Sequence, residues 1–208
     1  MKKSKRAKKS RTWVIKQHRD QFFKKAKVLG YRSRAAFKLL ELNKKFNFIK
    51  KNSNLLDIGS APGGWSQIAS KIITNGKILA IDVNSMDKIK NVNFLNDNFL
   101  EKKVQEKIHN TLGPKIDVII SDMAENTTGN KSVDSIRTNN LCSEVIYFSL
   151  KTLNKNGTMI CKLFMGEDFL EIKNLAKNNF KKVDFFKPES SRSESKETYL
   201  ICSLLKTL

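Results

Sequence analysis

The hydrophobic positions change period along the chain. Between residues 31 and 46 they recur at helical spacing: Ala35, Leu39, Leu42 and Phe46 fall at i, i+4, i+7 and i+11, with Ser33 placed to cap the start and Arg34, Lys38, Glu41 and Lys45 on the opposite face. From residue 54 onward, short β-rich runs alternate with longer amphipathic segments. Runs at 55–58, 77–83, 93–95, 116–121, 158–164, 182–186 and 198–205 predict seven strands, and the segments 63–73, 100–110, 133–153 and 168–179 predict helices between them. Parallel neighbours need crossover connections, so this alternation implies a mainly parallel sheet covered by helices on both faces. The link 187–197, rich in Ser and charge, is too short for a covered crossover, and an antiparallel last strand is expected. The expected fold is therefore α/β and Rossmann-like.

Charge divides the chain differently. Of a formal net charge of +20 over 208 residues, +17 lies in residues 1–51, where Asp20 and Glu41 are the only acids. Residues 1–30 read as a basic arm, at least partly flexible, and residues 31–208 as the folded domain. An arm of this composition neutralises phosphates, because each Lys or Arg contact releases a condensed counterion from a nucleic acid. Lys8, Lys9 and Arg11 are candidate RNA contacts, with Arg32 and Arg34 at the entry to the first helix. Trp13, Phe22, Phe23 and Tyr31 lie among these charges, available either to stack on bases or to pack in a core. No apolar run reaches the ~18 residues of a membrane span, and no secretory apolar stretch follows the first charges, so a cytoplasmic protein without a membrane partner is expected. The three cysteines, Cys142, Cys161 and Cys202, have no metal-ligand spacing, and no metal is expected. With no second amphipathic surface, a monomer is the default.

The first predicted strand runs into Asp57-Ile58-Gly59-Ser60-Ala61-Pro62-Gly63-Gly64-Trp65, a strand-to-loop-to-helix passage whose glycines let backbone approach a ligand. Ligands of open α/β sheets bind there, with Pro62 suited to the first helical turn. The spacing matches neither the dinucleotide nor the triphosphate glycine pattern, so another nucleotide-like cofactor is indicated. Asp82 ends the second predicted strand, 23 residues beyond Gly59, where a carboxylate commonly bonds a ribose hydroxyl pair, and Asp97 follows the third.

The segment from Asp57 to Trp65 resembles the S-adenosylmethionine motif of the FtsJ/RrmJ family of ribose 2′-O-methyltransferases. The likeness continues through Gly30-Tyr31-Arg32-Ser33-Arg34-Ala35-Ala36-Phe37-Lys38-Leu39, Ser121-Asp122-Met123-Ala124, Cys161-Lys162-Leu163-Phe164, and Lys187-Pro188-Glu189-Ser190-Ser191-Arg192 followed by Glu197-Thr198-Tyr199. It covers almost the entire chain after the arm. The resemblance implies a class I methyltransferase fold, S-adenosyl-L-methionine as cofactor, and a uridine ribose of large-subunit (23S) ribosomal RNA as acceptor, modified late in ribosome assembly. It implies a catalytic set of Lys38, Asp122, Lys162 and Glu197. For the cofactor it implies Asp57, Gly59, Gly63 and Trp65 on the methionine side, Asp82 at the ribose, Asp97 near the adenine amino group, and Asp122. Transfer RNA as acceptor, or a noncatalytic assembly factor, are the alternative readings.

The residues themselves make the set plausible. Lys162 interrupts the apolar run from Met159 to Phe164, where a lysine is expensive to bury without a role. To act as a base it needs a depressed pKa, which neighbouring Asp122 and Glu197 oppose. The sequence leaves open whether Lys162 removes the hydroxyl proton or orients the oxygen while the proton leaves by another route.

Overall fold

The computed structural model describes residues 20–125 and 128–206. Asp20 accepts hydrogen bonds from the Phe22 and Phe23 amides, at 3.0 and 3.2 Å, and so caps α1, Gln21–Val28. Phe22 of this helix packs against Phe37 of α2, Ala35–Phe46, with ring centroids 5.4 Å apart, and Tyr31 meets the same ring edge-on. Residues 20–30 of the basic segment thus belong structurally with the domain. Lys8, Lys9, Arg11 and Trp13 lie outside the described residues. Ser33 does not cap α2: Arg34 holds the N-cap position without a side-chain cap bond. The Ser33 hydroxyl is instead buried against Gly64, where any Cβ would collide with it.

Seven strands form one sheet in the order β3-β2-β1-β4-β5-β7-β6. They are β1 Leu55–Ile58, β2 Ile78–Asp82, β3 Asn93–Asn96, β4 Ile116–Ser121, β5 Leu153–Phe164, β6 Phe180–Phe186 and β7 Glu197–Leu205. The first five run parallel, and β7 is inserted antiparallel between β5 and β6, as the short preceding link requires. The remaining helices are α3 Gly64–Ile72, α4 Lys102–Leu112, α5 Lys131–Thr152 and α6 Phe169–Asn179. β5 starts earlier than the sequence suggests, because Leu153 pairs with Ile116 across an irregularity in the β4 ladder. Pro62 lies in the loop, in a cis peptide with Ala61, and Gly63 takes the N-cap of α3.

Two apolar clusters clothe the sheet. One joins Leu56, Ile119, Met159, Leu163 and Leu200 to α4, α5 and α6, and includes the buried free thiols Cys142, Cys161 and Cys202. The other joins Leu55, Val118, Ile120, Ile160, Tyr199 and Ile201 to α2 and α3. Strand side chains alternate faces, so residues two beyond these positions at the strand ends share the α2–α3 face. That places Asp122 after Ile120, Lys162 after Ile160, and Glu197 before Tyr199 on one side of the sheet, beneath α2.

Candidate active site

Lys38 descends from α2 onto that group. It is 8% exposed, although the helical period assigns it to a solvated face. Its ammonium lies 2.6 Å from Glu197 Oε1 and 3.8 Å from Asp122 Oδ1, while Lys162 Nζ lies 3.2 Å from both Asp122 Oδ1 and Glu197 Oε2. Each lysine therefore touches both acids, and the four charges close into an alternating quartet. Charges this deep persist only when paired and hydrogen-bonded. Tyr199 joins the quartet: its hydroxyl donates to Asp122 Oδ1 at 2.6 Å and accepts from Lys38 at 3.1 Å. Ser191 Oγ donates to Glu197 Oε1 at 2.8 Å. Neither Tyr199 nor Ser191 stands among the residues the sequence singles out as functional, yet Tyr199 sits two positions after Glu197 in a strand, the spacing that shares a face.

Burial alone would depress Lys162, but Asp122 and then Glu197 outweigh it and hold the ammonium above the ordinary lysine range. Burial likewise works to raise Glu197, and Lys162 and Lys38 overcome it, bringing its pKa down to about 2. The Tyr199 hydroxyl is pushed up, first by burial and then by Asp122 and Glu197. At neutral pH the quartet holds a charged Lys162 and an ionised Glu197.

A cleft of about 420 Å³ opens beside it at the C-terminal ends of β1 to β4, within the size range of small-molecule sites. Gly59, Asp82, Asp97 and Asp122 line it, with Phe99 and Met123 among its apolar walls. Gly59 has φ +76°, and a Cβ there would press into Met123. Asp82 accepts from the Ala61 amide at 2.9 Å and the Asn84 amide at 2.8 Å, tying the glycine loop to the end of β2. Lys107, 2.9 Å from Asp97, holds that carboxyl below its usual range. Among the described residues the border carries four carboxylates, Asp82, Asp97, Asp122 and Glu125, and no Lys or Arg. Such a border favours a ligand with a positive centre over a chain of phosphates.

The other residues expected at the cofactor support the loop from behind. Asp57 lies buried under it, accepting a 2.5 Å hydrogen bond from Ser66 of α3; burial foremost raises its pKa to about 7. Trp65 is buried, donates its indole N–H to the Ala35 carbonyl at 2.8 Å, and packs on Tyr199 with centroids 5.5 Å apart. Gly63 starts α3 against Arg32. Both arginines at the start of α2 make contacts within the protein. Arg32 donates to the Asp87 and Lys88 carbonyls, both at 2.7 Å, and to Pro62 O at 3.3 Å; Arg34 pairs with Asp20 and bonds the Ser190 carbonyl. The loops around both guanidiniums present carbonyls and an acid as acceptors for charge-assisted hydrogen bonds.

A family model described as FtsJ-like methyltransferase matches residues 31–204. The chain belongs to that family. Among its FtsJ-like relatives is the ribosomal RNA large subunit methyltransferase E of Pelagibacter ubique, 42% identical over 197 residues that span 95% of this chain and 97% of the relative. A crystal structure assigned as a ribosomal RNA methyltransferase from Plasmodium falciparum superimposes with a TM-score of 0.76 at 36% identity, covering 84% of this chain and 98% of that one. Human methyltransferase-like protein 13, in complex with SAH, shares the fold alone, with a TM-score of 0.58 at 15% identity over 81% of this chain and 79% of that one. This FtsJ-like methyltransferase has the class I methyltransferase fold. Among its described residues no helix is long and apolar enough to cross a membrane, and no group of His, Cys, Asp and Glu is placed to hold a metal ion.

Proposed function

We propose that the protein transfers a methyl group from S-adenosylmethionine to the 2′-hydroxyl of a uridine ribose in large-subunit ribosomal RNA, late in ribosome assembly and in the cytoplasm. The observation that carries this reading is the closed Lys38–Asp122–Lys162–Glu197 quartet beside an acid-bordered cleft. With Lys162 held charged and Lys38 bound to carboxylates, the quartet offers no free nucleophile. It suits a reaction in which nucleophile and electrophile are both brought in. When bound, S-adenosylmethionine supplies a methyl group made electrophilic by its sulfonium, a positive centre that suits the cleft's carboxylates. Asp82 would hold its ribose hydroxyls, Asp97 its adenine amino group, and the backbone at Gly59 its methionine end.

The protein's own residues then orient the acceptor and take its proton. Lys162 donates to the acceptor oxygen as an ammonium and fixes the direction of its lone pair, the positioning on which an in-line transfer depends. Every quartet contact of Asp122, and its bond from Tyr199, runs through Oδ1, which leaves Oδ2 to receive the hydroxyl proton. Glu197 holds both lysines in register. The name carried by the Pelagibacter relative supports ribosomal RNA as acceptor, and the basic N-terminal quarter supports a phosphate-rich partner.

The test is transfer of labelled methyl from S-adenosylmethionine to large ribosomal subunits lacking the modification, with free ribosomal RNA, transfer RNA and the Lys162→Ala enzyme alongside. Label at one ribose 2′-oxygen of large-subunit RNA, absent with the variant, is the expected result. Label on transfer RNA alone, or none on any RNA despite measured cofactor binding, overturns the reading.

A further inference from the structure

A second concavity lies at the same end of the sheet, on the α5 side, and has no part in the chemistry above. It is a groove of about 430 Å³ between the N-terminal turns of α5 and the loop after β5, lined by Ser132, Ser135, Ile136, Met165, Gly166 and Lys196, with Glu167 also at its edge. Phe164 and Glu197 form the last pair of the β5–β7 ladder, and just beyond them the Met165 amide donates to the Lys196 carbonyl at 3.0 Å. Lys196, in the groove wall, is thus the residue before Glu197 in the chain.

Its walls are unusual for a surface. Ile136 and Met165 are 42% and 47% exposed, large apolar side chains that line the same groove. Ser135 is only 6% exposed, and its hydroxyl has no hydrogen-bond partner among the described residues. A Cβ at Gly166 would come within 2.5 Å of that hydroxyl, so only a glycine fits against it there. Buried hydroxyls are normally satisfied, and one without a partner in the wall of a groove implies a ligand that brings it.

We propose that this groove receives an unstacked RNA base, that of the acceptor nucleotide or of its immediate neighbour; the proposal rests on the RNA methyltransferase reading above. A base is flat and largely apolar on its faces, matching Ile136 and Met165, and carries hydrogen-bonding groups on its edge, matching Ser135. Sequence-specific recognition of RNA works through splayed-out bases of this kind. Glu167 and Lys196 both line the groove, so it carries no excess positive charge to hold a phosphate.

The experiment uses the full-length enzyme and a large-subunit RNA fragment containing the ribose located by the labelling assay, prepared intact and with the base removed at the acceptor or at either flanking nucleotide. Wild type, Ser135→Ala and Ile136→Ala are compared. Ile136 is substantially exposed, so its replacement leaves folding intact, and cofactor affinity and thermal melting check both variants. On intact RNA each variant should raise KM about tenfold with kcat and cofactor affinity preserved. On the fragment lacking the responsible base, wild type should show that same rise and the variants should add little to it. Coupling at the acceptor or at a flanking nucleotide supports the proposal and says which base is held. Losses that multiply at all three positions, or variants with unchanged KM, overturn it. A wild-type enzyme that methylates no RNA overturns the parent reading, and this one with it.

Discussion

Lys162 and Tyr199 stand opposite each other across the β5–β7 ladder, and both reach Asp122 Oδ1, at 3.2 and 2.6 Å. The pairing means that the cation and the phenol are set by one backbone register. Moving β7 by a single residue would turn Tyr199 and Glu197 to the far face together.

Tyr199→Phe keeps the aromatic packing on Trp65 and removes the hydroxyl shared by Lys38 and Asp122. Single-turnover methyl transfer should fall roughly tenfold, with stability lower by about 1–2 kcal/mol. Lys162→Ala should reduce the same rate by something on the order of 10²- to 10⁴-fold with cofactor affinity preserved. Rapid-quench kinetics and calorimetry check both, and an equal loss in the two variants would make the phenol a direct participant in proton removal.

The raised pKa of Lys162 makes a statement about rate. If the ammonium is the working form, the single-turnover rate stays flat between about pH 7 and 9, because Lys162 remains charged throughout. A rise approaching tenfold per pH unit would show that the lysine must first lose its proton.

Asp57 gives the fold an acid-side signature. Its carboxyl titrates near pH 7 in the folded protein against an ordinary 3.8, so its contribution is fully present below about pH 4 and is lost as pH rises through 7. The loss amounts to roughly 4 kcal/mol at most. Glu197 acts in the opposite direction, its stabilisation present above about pH 4.5 and lost as pH falls toward 2. Denaturant unfolding of Asp57→Asn should show a flatter decline between pH 4 and 8 than wild type, whatever its absolute stability. Parallel curves would mean that Asp57 is ionised in the fold.

The strands were legible because β-rich runs and glycine-bearing turns are local signals, and the antiparallel β7 followed from the length of one link; the order of strands in the sheet was not read from the sequence. Asp82 and Asp97 drew notice at the ends of predicted strands, Lys162 as a lysine within an apolar run, and Asp122 through the family resemblance. Lys38 reads as solvated because hydrophobic periodicity cannot distinguish a face turned to water from one turned to buried carboxylates. The same blindness hides α1, whose place depends on tertiary contacts of Phe22 and Asp20. The burial of Trp65 and Asp57 beneath the glycine loop is a tertiary fact that the loop's sequence does not carry.

Arg32 ties that loop to the segment after β2 through three carbonyls. Arg32→Ala should raise the dissociation constant for S-adenosylmethionine by about tenfold while leaving the quartet's chemistry at saturation nearly unchanged. Isothermal titration with the cofactor or its demethylated product tests this, and an unchanged affinity would mean that the loop holds its shape without Arg32.

Deleting residues 2–11 removes Lys8, Lys9 and Arg11 and should weaken RNA binding. The dependence of log K on log salt should flatten by about 0.7–0.9 for each phosphate that the arm no longer neutralises. An unchanged slope would take the arm out of the interface.

β7 is the last strand in chain order, yet it lies between β5 and β6. Until it docks, β5 is the open edge of a five-stranded parallel sheet, and Lys162 stands there in water at no penalty. The strand that desolvates this lysine is the one that brings Glu197 to neutralise it and Tyr199 to share its acid. Burial and compensation thus come from the same strand, so the quartet is complete only where β7 is paired with β5.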